Sequence, residues 1–258
     1  MLDMIHLSIV PTFLLIFARV IAFLMTVPLF SYRTIPTPIK IGLGFFLSLV
    51  IFSSMEAPVI SIDHYYVLLL LKEITVGLAI GLIAYMILSV VQIAGGFIDF
   101  QMGFAMANVM DPQTGAQSPI IGQFFYMVAL LFLLSVNGHH LLIDGVYNSY
   151  QFIALDGLIT VDGDFSKFIV ETFNSMFIIA FQMALPLVGC LFLVDVALGI
   201  IARTVPQLNV FVVGLPLKIT VSFIALSVFI VLYMSLAKFI FETMFVTMRD
   251  LMGILGGI

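Results

Sequence analysis

The chain has 258 residues, 63% of them hydrophobic and 9% charged, with a mean hydropathy of +1.28, whereas an average soluble domain carries roughly 25% charged residues. It lacks the polar residues to cover a core of its own, so its apolar surface must meet lipid or other apolar subunits. A net charge of −5 leaves no basic stripe for nucleic acid, and Cys190, the single cysteine, excludes an internal disulfide.

The first apolar run extends from Leu7 to Phe30. Met1-Leu2-Asp3-Met4 offers no positive n-region and the run is too long for a signal-peptide core, so it is expected to stay as a membrane helix. Arg19 lies in the middle of it. A second run covers Ile39 to Ile60, and a third, Val67 to Ile98, carries Lys72 and Glu73 near its start. Gly77 and Gly81 form a GxxxG pattern that lets helix backbones approach closely in lipid. About 20 apolar residues cross a bilayer, so the third run must tilt, kink or extend beyond the hydrocarbon, and Gly95-Gly96 is the natural place for a kink.

The stretch from Gly95 to Pro119 has a character of its own. Met102, Met106 and Met110 recur every four residues and would form one stripe on a helix. Methionine is flexible and polarizable, suited to surfaces that must seal yet repack. Asp111-Pro112 is expected to stop the helix. Gln113, Thr114, Gly115, Ala116, Gln117 and Ser118 read as a small polar loop, and Pro119 can open the next helix. The simpler reading, a buried methionine stripe followed by an ordinary turn, has equal physical support.

A fourth run spans Pro119 to Val136, and the connection from Asn137 to Lys167 is the longest polar one. His139-His140 should point apart on a helix and lack a carboxylate or cysteine cluster to complete a metal site. The acidic segment Asp156 to Asp164 lacks the twelfth-position glutamate of a calcium loop. The fifth run, Phe168 to Ala202, contains Asp195 and a kink signal at Pro186. The sixth, Val210 to Val246, should begin as a true helix at Pro216 and contains Lys238 and Glu242, four residues apart and placed to pair locally. The expectation is an all-α membrane protein of about six apolar helices with long kinked hairpins, although seven or eight shorter pieces would fit nearly as well.

Charge placement sets a topology. Arg33 and Lys40 flank the first loop and Arg203 and Lys218 the last, while Asp63, Asp144, Asp156, Asp162 and Asp164 lie in the loops between. The positive-inside rule then puts the basic loops in the cytoplasm and both termini outside. Arg19, Lys72, Glu73, Asp99 and Asp195 lie inside the runs, where a central charge costs about 2.5–3.5 kcal/mol. Each is either part of an ion pathway or, more simply, snorkels near an interface or is buried in a pair between helices. Arg19 needs a carboxylate or helix-end carbonyls, with Asp99 and Asp195 as candidates between which the sequence does not choose. Lys72 and Glu73, adjacent and divergent, need partners elsewhere.

No nucleophile elbow, phosphate-binding loop or dinucleotide fingerprint occurs. No enzyme, cofactor or metal is expected. A secondary transporter using the intramembrane charges would show solute-dependent currents and an internal inverted repeat, and no convincing repeat is seen. A purely structural membrane anchor would assemble without passing substrate.

The ordered set of motifs resembles the FliR family, the R subunit of the flagellar type III export gate. It runs along nearly the whole chain: Arg19 with Pro28, Lys72-Glu73, Gly77 and Gly81, Gln92 to Gly95, Asp99, Gln101-Met102-Gly103, Asp111-Pro112-Gln113, Gln117-Ser118-Pro119 and Asn137 to His140. In the second half it continues through Leu185-Pro186, Asp195, Leu198-Gly199, Arg203, Pro206-Gln207, Asn209 to Phe211, Gly214 and Pro216 to Lys218. The resemblance implies a helical hetero-oligomeric conduit built with the P and Q subunits, FliP and FliQ. Unfolded flagellar proteins would pass through it, at the bacterial cell membrane within the flagellar basal-body ring. It implies a P-like half, residues 1–166, and a Q-like hairpin, residues 167–258. It also implies a plug loop at about Asn108, Met110, Asp111, Pro112, Gln113, Thr114, Gly115, Gln117, Ser118 and Pro119, with Met102 and Met106 as gasket candidates. The basic turn with Arg203, Pro206, Gln207, Asn209, Gly214 and Lys218 corresponds to a cytoplasmic entrance where FlhB docks, FlhA being a further partner. The virulence injectisome R subunit is a sibling reading, but the Asp-Pro-Gln and Asn-Gly-His-His forms look more flagellar.

Overall fold

A computed structural model describes residues 9–55, 58–104, 119–159, 163–207 and 209–257, and these are all-α. The helices are α1 (Val10–Thr26), α2 (Thr37–Ser54), α3 (Tyr66–Met102), α4 (Ile120–Ser135), α5 (Gly138–Phe152), α6 (Gly163–Thr204) and α7 (Val210–Gly256). Met106 and the expected plug residues Asn108 through Ser118 lie outside the described residues; Pro119 lies inside them.

Each apolar run carries a helix, but among the described residues the expected count of about six spans is reduced. Four helices, α2, α3, α6 and α7, are long and apolar enough to cross a membrane, and α4 with α5 makes a fifth if the bent pair counts as one. Helix α1, with 17 residues among those described, is a shorter apolar helix. After 16 residues α4 stops at Asn137, whose left-handed φ of 57° turns the chain by 75° into α5. That helix occupies the start of the expected polar connection.

The kink signals lie inside continuous helices. Helix α3 continues through Gly95-Gly96 and α6 through Pro186. It is Gly103, with φ of +91°, that ends α3, a conformation glycine adopts without steric cost. Helix α7 begins at Val210, before Pro216. Asn209 Oδ1 accepts the N–H groups of Phe211 and Val212 at 3.2 and 3.4 Å, so the cap fixes the helix start upstream of the proline.

The chain forms two compact units. The first takes residues 1–87, 134–172 and 241–258, and the second residues 88–133 and 173–240. In the first, α3 lies on α1 through its two glycines. A Cβ on Gly77 would strike the Arg19 carbonyl and Ala22, and one on Gly81 would strike Thr26 and the Phe23 carbonyl. As positions rise on α1 they rise on α3, so the two helices run in the same direction. Phe13 of α1 meets Phe45 and Phe52 of α2 edge-on at 5.5 and 6.1 Å. In the second unit Gly95 of α3 abuts the backbone of Gly122 in α4. The Phe125 ring stacks on Tyr233 at 4.2 Å, and the Tyr233 hydroxyl donates to the Met183 carbonyl at 3.1 Å. The apolar windows of α6 and α7 are only 17% buried, so Phe181, Leu193, Ile224 and Val231 stand outward.

The glycine contacts make a paired prediction. Gly77→Ala should cost about 1–3 kcal/mol by overpacking, lowering the thermal stability of the detergent-extracted protein. Gly42→Ala, where nothing lies within 4 Å, should be neutral or slightly stabilising. Equal thermal midpoints for the two variants would contradict the close α1–α3 approach.

Candidate functional site

The deepest polar cluster lies in the first unit. Arg19 is fully buried on α1. Its guanidinium forks onto Glu73 of α3, Nε to Oε2 at 2.5 Å and Nη2 to Oε1 at 2.9 Å. Nη1 donates to Ser149 Oγ of α5 at 3.0 Å, and Nη2 also donates to the Ile153 carbonyl at 3.1 Å. The cation lies 4.1 Å from the centre of the Tyr150 ring, whose hydroxyl donates to the Ile16 carbonyl at 3.3 Å. Lys72 reaches the same carboxylate, Nζ to Oε1 at 2.8 Å. It also donates to the carbonyls of Ala154, Leu155 and Gly157 at 2.6, 3.0 and 3.0 Å.

Two cations therefore share one buried carboxylate. The extra positive charge is met by carbonyl oxygens at and just beyond the end of α5, where the helix dipole is negative. The two expected partners of Arg19, Asp99 and Asp195, are corrected to Glu73. Lys72 and Glu73 do not diverge as expected either, because the four-carbon lysine stem is long enough to fold back toward its neighbour. Both Glu73 oxygens are occupied and the cluster is sealed from solvent, so the geometry supports a structural tie among three segments.

In the second unit Asp99 receives the Ile121 N–H on both carboxylate oxygens, at 3.3 and 3.1 Å. It serves the opening turn of α4, where N–H groups have no helical acceptor and the dipole favours an anion. Pro119-Ile120 signals that helix start in the sequence, but Asp99 lies 22 residues earlier in the chain than Ile121, on another helix.

Asp195 of α6 pairs with Lys218 of α7 at 2.7 Å and accepts from Gln101 Nε2 at 2.8 Å. The pair borders a cavity of about 290 Å³ lined by Met102, Gly103, Leu198, Phe211 and Gly214 among others. Lys218, expected at the basic turn, joins the two arms of the hairpin through Asp195. Gly214, buried beside Leu198, holds the arms close, and Asn209 caps α7. Arg203, Pro206 and Gln207 are exposed in the turn. Met102 is fully buried at the end of α3. The His139 and His140 rings lie 4.1 Å apart rather than pointing away from each other, and among the described residues no group of three metal-ligating side chains occurs.

Fold and site thus define a multi-span helical membrane protein held together by internal ion pairs and glycine contacts. The family model described as bacterial export proteins, family 1, matches residues 10–244. The chain is 57% identical over 249 residues to the flagellar biosynthetic protein FliR of Bacillus subtilis (strain 168), covering 95% of this chain and 96% of that protein. It is 29% identical over 234 residues to the FliR protein of Escherichia coli (strain K12), covering 90% and 89%. It is 27% identical over 231 residues to the Yop proteins translocation protein T of Yersinia pestis, covering 88% of each. The chain belongs to the FliR family of bacterial export proteins.

Removing one member of the buried cluster should cost far more than removing a charge pair together. Glu73→Gln leaves two cations without a counter-charge and should destabilise by about 3–5 kcal/mol. Arg19→Met with Glu73→Met should recover much of that loss, because Lys72 keeps its three carbonyl partners. Thermal melts of the detergent-extracted protein check the order. A Glu73→Gln protein as stable as the wild type would contradict the tie.

Proposed function

We infer that this chain is the R subunit of a flagellar type III export gate: a multi-pass protein of the membrane at the flagellar base, part of a protein-conducting apparatus and not an enzyme. The observation that carries it is 57% identity over 95% of the chain to a flagellar FliR protein, against 27% to the injectisome translocation protein. Association with other export components follows from the family, and the exposed apolar flanks of α6 and α7 favour a protein that completes itself in an assembly. The partners proposed are the P and Q subunits, FlhB, FlhA and the basal-body ring, and the passengers are unfolded flagellar proteins. On this reading residues 1–166 are the P-like half and residues 167–258 the Q-like hairpin, whose turn from Arg203 to Lys218 meets FlhB at the cytoplasmic entrance.

The segment Asn108 to Pro119 is proposed as the plug that keeps the conduit closed at rest, with Met102 and Met106 sealing around a passing chain. Small polar residues can leave a narrow passage without dragging a packed helix along, and methionine rotamers repack cheaply. The injectisome reading keeps the same mechanism with other passengers.

The test is complementation. In a flagellated bacterium lacking its own R subunit, this chain with its cognate P and Q subunits should restore export of hook and filament proteins to the medium. Failure despite normal complex recovery would count against the assignment. In the same cells, deleting Gln113–Ser118 should leave the complex assembled but conductive to ions, with slower growth in high salt. Tight membranes and normal export after that deletion would reduce the segment to a turn.

A further inference from the structure

Helix α7 changes character along its length. In its middle, Phe223, Ile224, Val228 and Val231 stand outward. Beyond Phe241 the outward positions include Glu242, Arg249 and Asp250, all exposed, while Met244, Met248, Leu251, Met252 and Leu255 are buried. The buried set shares one helical face. Charged on one side and apolar on the other, this section is built to lie on protein with water behind it. It belongs to the first compact unit, although the chain reaches it last.

What it lies on is α5. A Cβ on Gly256 would strike the Phe152 carbonyl, and one on Gly145 would come within 3.0 Å of Met248 Cε. Positions rise together on the two helices, so they run in the same direction. The two approaches differ in kind. Met248 Cε is the free end of a flexible side chain and can give way, whereas the Phe152 carbonyl is backbone. Phe152 is the last residue of α5, and the residues after it supply oxygens to the Arg19 cluster. Ile153 accepts from Arg19, and Ala154, Leu155 and Gly157 accept from Lys72. Gly256 therefore bears on the backbone at the point from which those carbonyls are aimed. A helix of 15 residues is marginal by itself, and α5 needs support on the side away from Arg19 as well.

We propose that residues 241–256 are the closing piece of the first unit. Docked on α5 through Gly256, they set the carbonyl run 153–157 in place, so the buried cations of Arg19 and Lys72 are fully satisfied only once the last helix has arrived. Gly256 is a positioning residue, acting on the cluster through the Phe152 backbone. The chain makes the two cations early and their final support last, and a chain whose α7 has not docked carries an open first unit. None of this depends on the export-gate reading.

The experiment uses the full chain extracted in detergent, carrying Gly256→Ala or, for comparison, Gly145→Ala. Both glycines are helical, where alanine is the better helix former, so a loss of stability comes from the contact. Gly256→Ala should lower the thermal midpoint by several degrees and Gly145→Ala by much less; equal effects would count against the proposal. In a Lys72→Met background the drop caused by Gly256→Ala should shrink to less than about half, because the cluster then uses fewer of the carbonyls that Gly256 positions. Equal drops in the two backgrounds would make Gly256 an ordinary packing contact and overturn the proposal. A second readout locates the change. In a Cys190→Ser chain, the buried thiol of Val146→Cys on α5 should react with N-ethylmaleimide about tenfold faster once Gly256→Ala is added. The thiol of Ala180→Cys, buried in the second unit, should keep its rate. Acceleration at both sites would show a general loosening, and acceleration at neither would show that α5 does not need the last turns; each would overturn the proposal.

Discussion

A positive charge that cannot leave an apolar interior is the constraint around which the first unit is organised. Arg19 lies in the middle of a helix that carries no other charge, and its guanidinium must find oxygen from elsewhere. It does so from Glu73, 54 positions away, from Ser149, 130 positions away, and from the carbonyl of Ile153. In lipid, apolar helices gain little by exchanging lipid contacts for each other, so association depends on close backbone fit and polar ties. Here the two are one device. Glu73 and Gly77 are four residues apart on the same face of α3. The missing side chain at Gly77 is what lets that face settle onto the Arg19 backbone while the carboxylate one turn earlier grips its side chain.

Lys72 extends the same tie into irregular chain. Its three carbonyl partners, at 154, 155 and 157, lie in a segment that has no helical partners for those oxygens. An ammonium, with three donors and no fixed plane, suits converging carbonyls better than a guanidinium would. The second unit solves equivalent problems with less burial. Asp99 spends its charge on the N–H groups of α4, and Asp195 with Lys218 bridges the hairpin arms where both side chains retain some contact with solvent. Partly exposed pairs of that kind are worth about 0–1 kcal/mol, so the hairpin is held lightly where the Arg19 cluster is held hard.

The parts of this fold legible in the sequence are those set by local composition. Continuous apolar runs locate six of the helices, Gly77 and Gly81 mark a close approach, and the need of Arg19 for a carboxylate or helix-end carbonyls is met by both. What escapes is set by distance or by balance. Choosing Glu73 over Asp99 requires knowing that α1 and α3 are parallel neighbours. Pro216 does signal a helix start, but Asn209 caps the chain sooner, and the nearer N-cap decides the outcome. Helix α5 escapes for a different reason: its apolar content is too low for a run, and its signal is the spacing of Leu142, Val146 and Ser149 against Asp144, Asn148 and Gln151. The seal and plug residues from Asn108 to Ser118 rest on family resemblance, the physics of their sequence supporting a plain turn equally well.

The lengths of the last two helices bear on why the chain is built this way. At 42 and 47 residues, α6 and α7 rise about 63 and 70 Å, twice the thickness of a bilayer's hydrocarbon core of about 30 Å. Neither could lie wholly in lipid along its axis, and with 17% of their apolar windows buried neither is covered by its own chain. Each therefore leaves apolar surface that lipid or other apolar subunits must meet. The Arg19 cluster depends on no such cover: its partners are all internal, both Glu73 oxygens are occupied, and moving any one of its three segments would strand a charge.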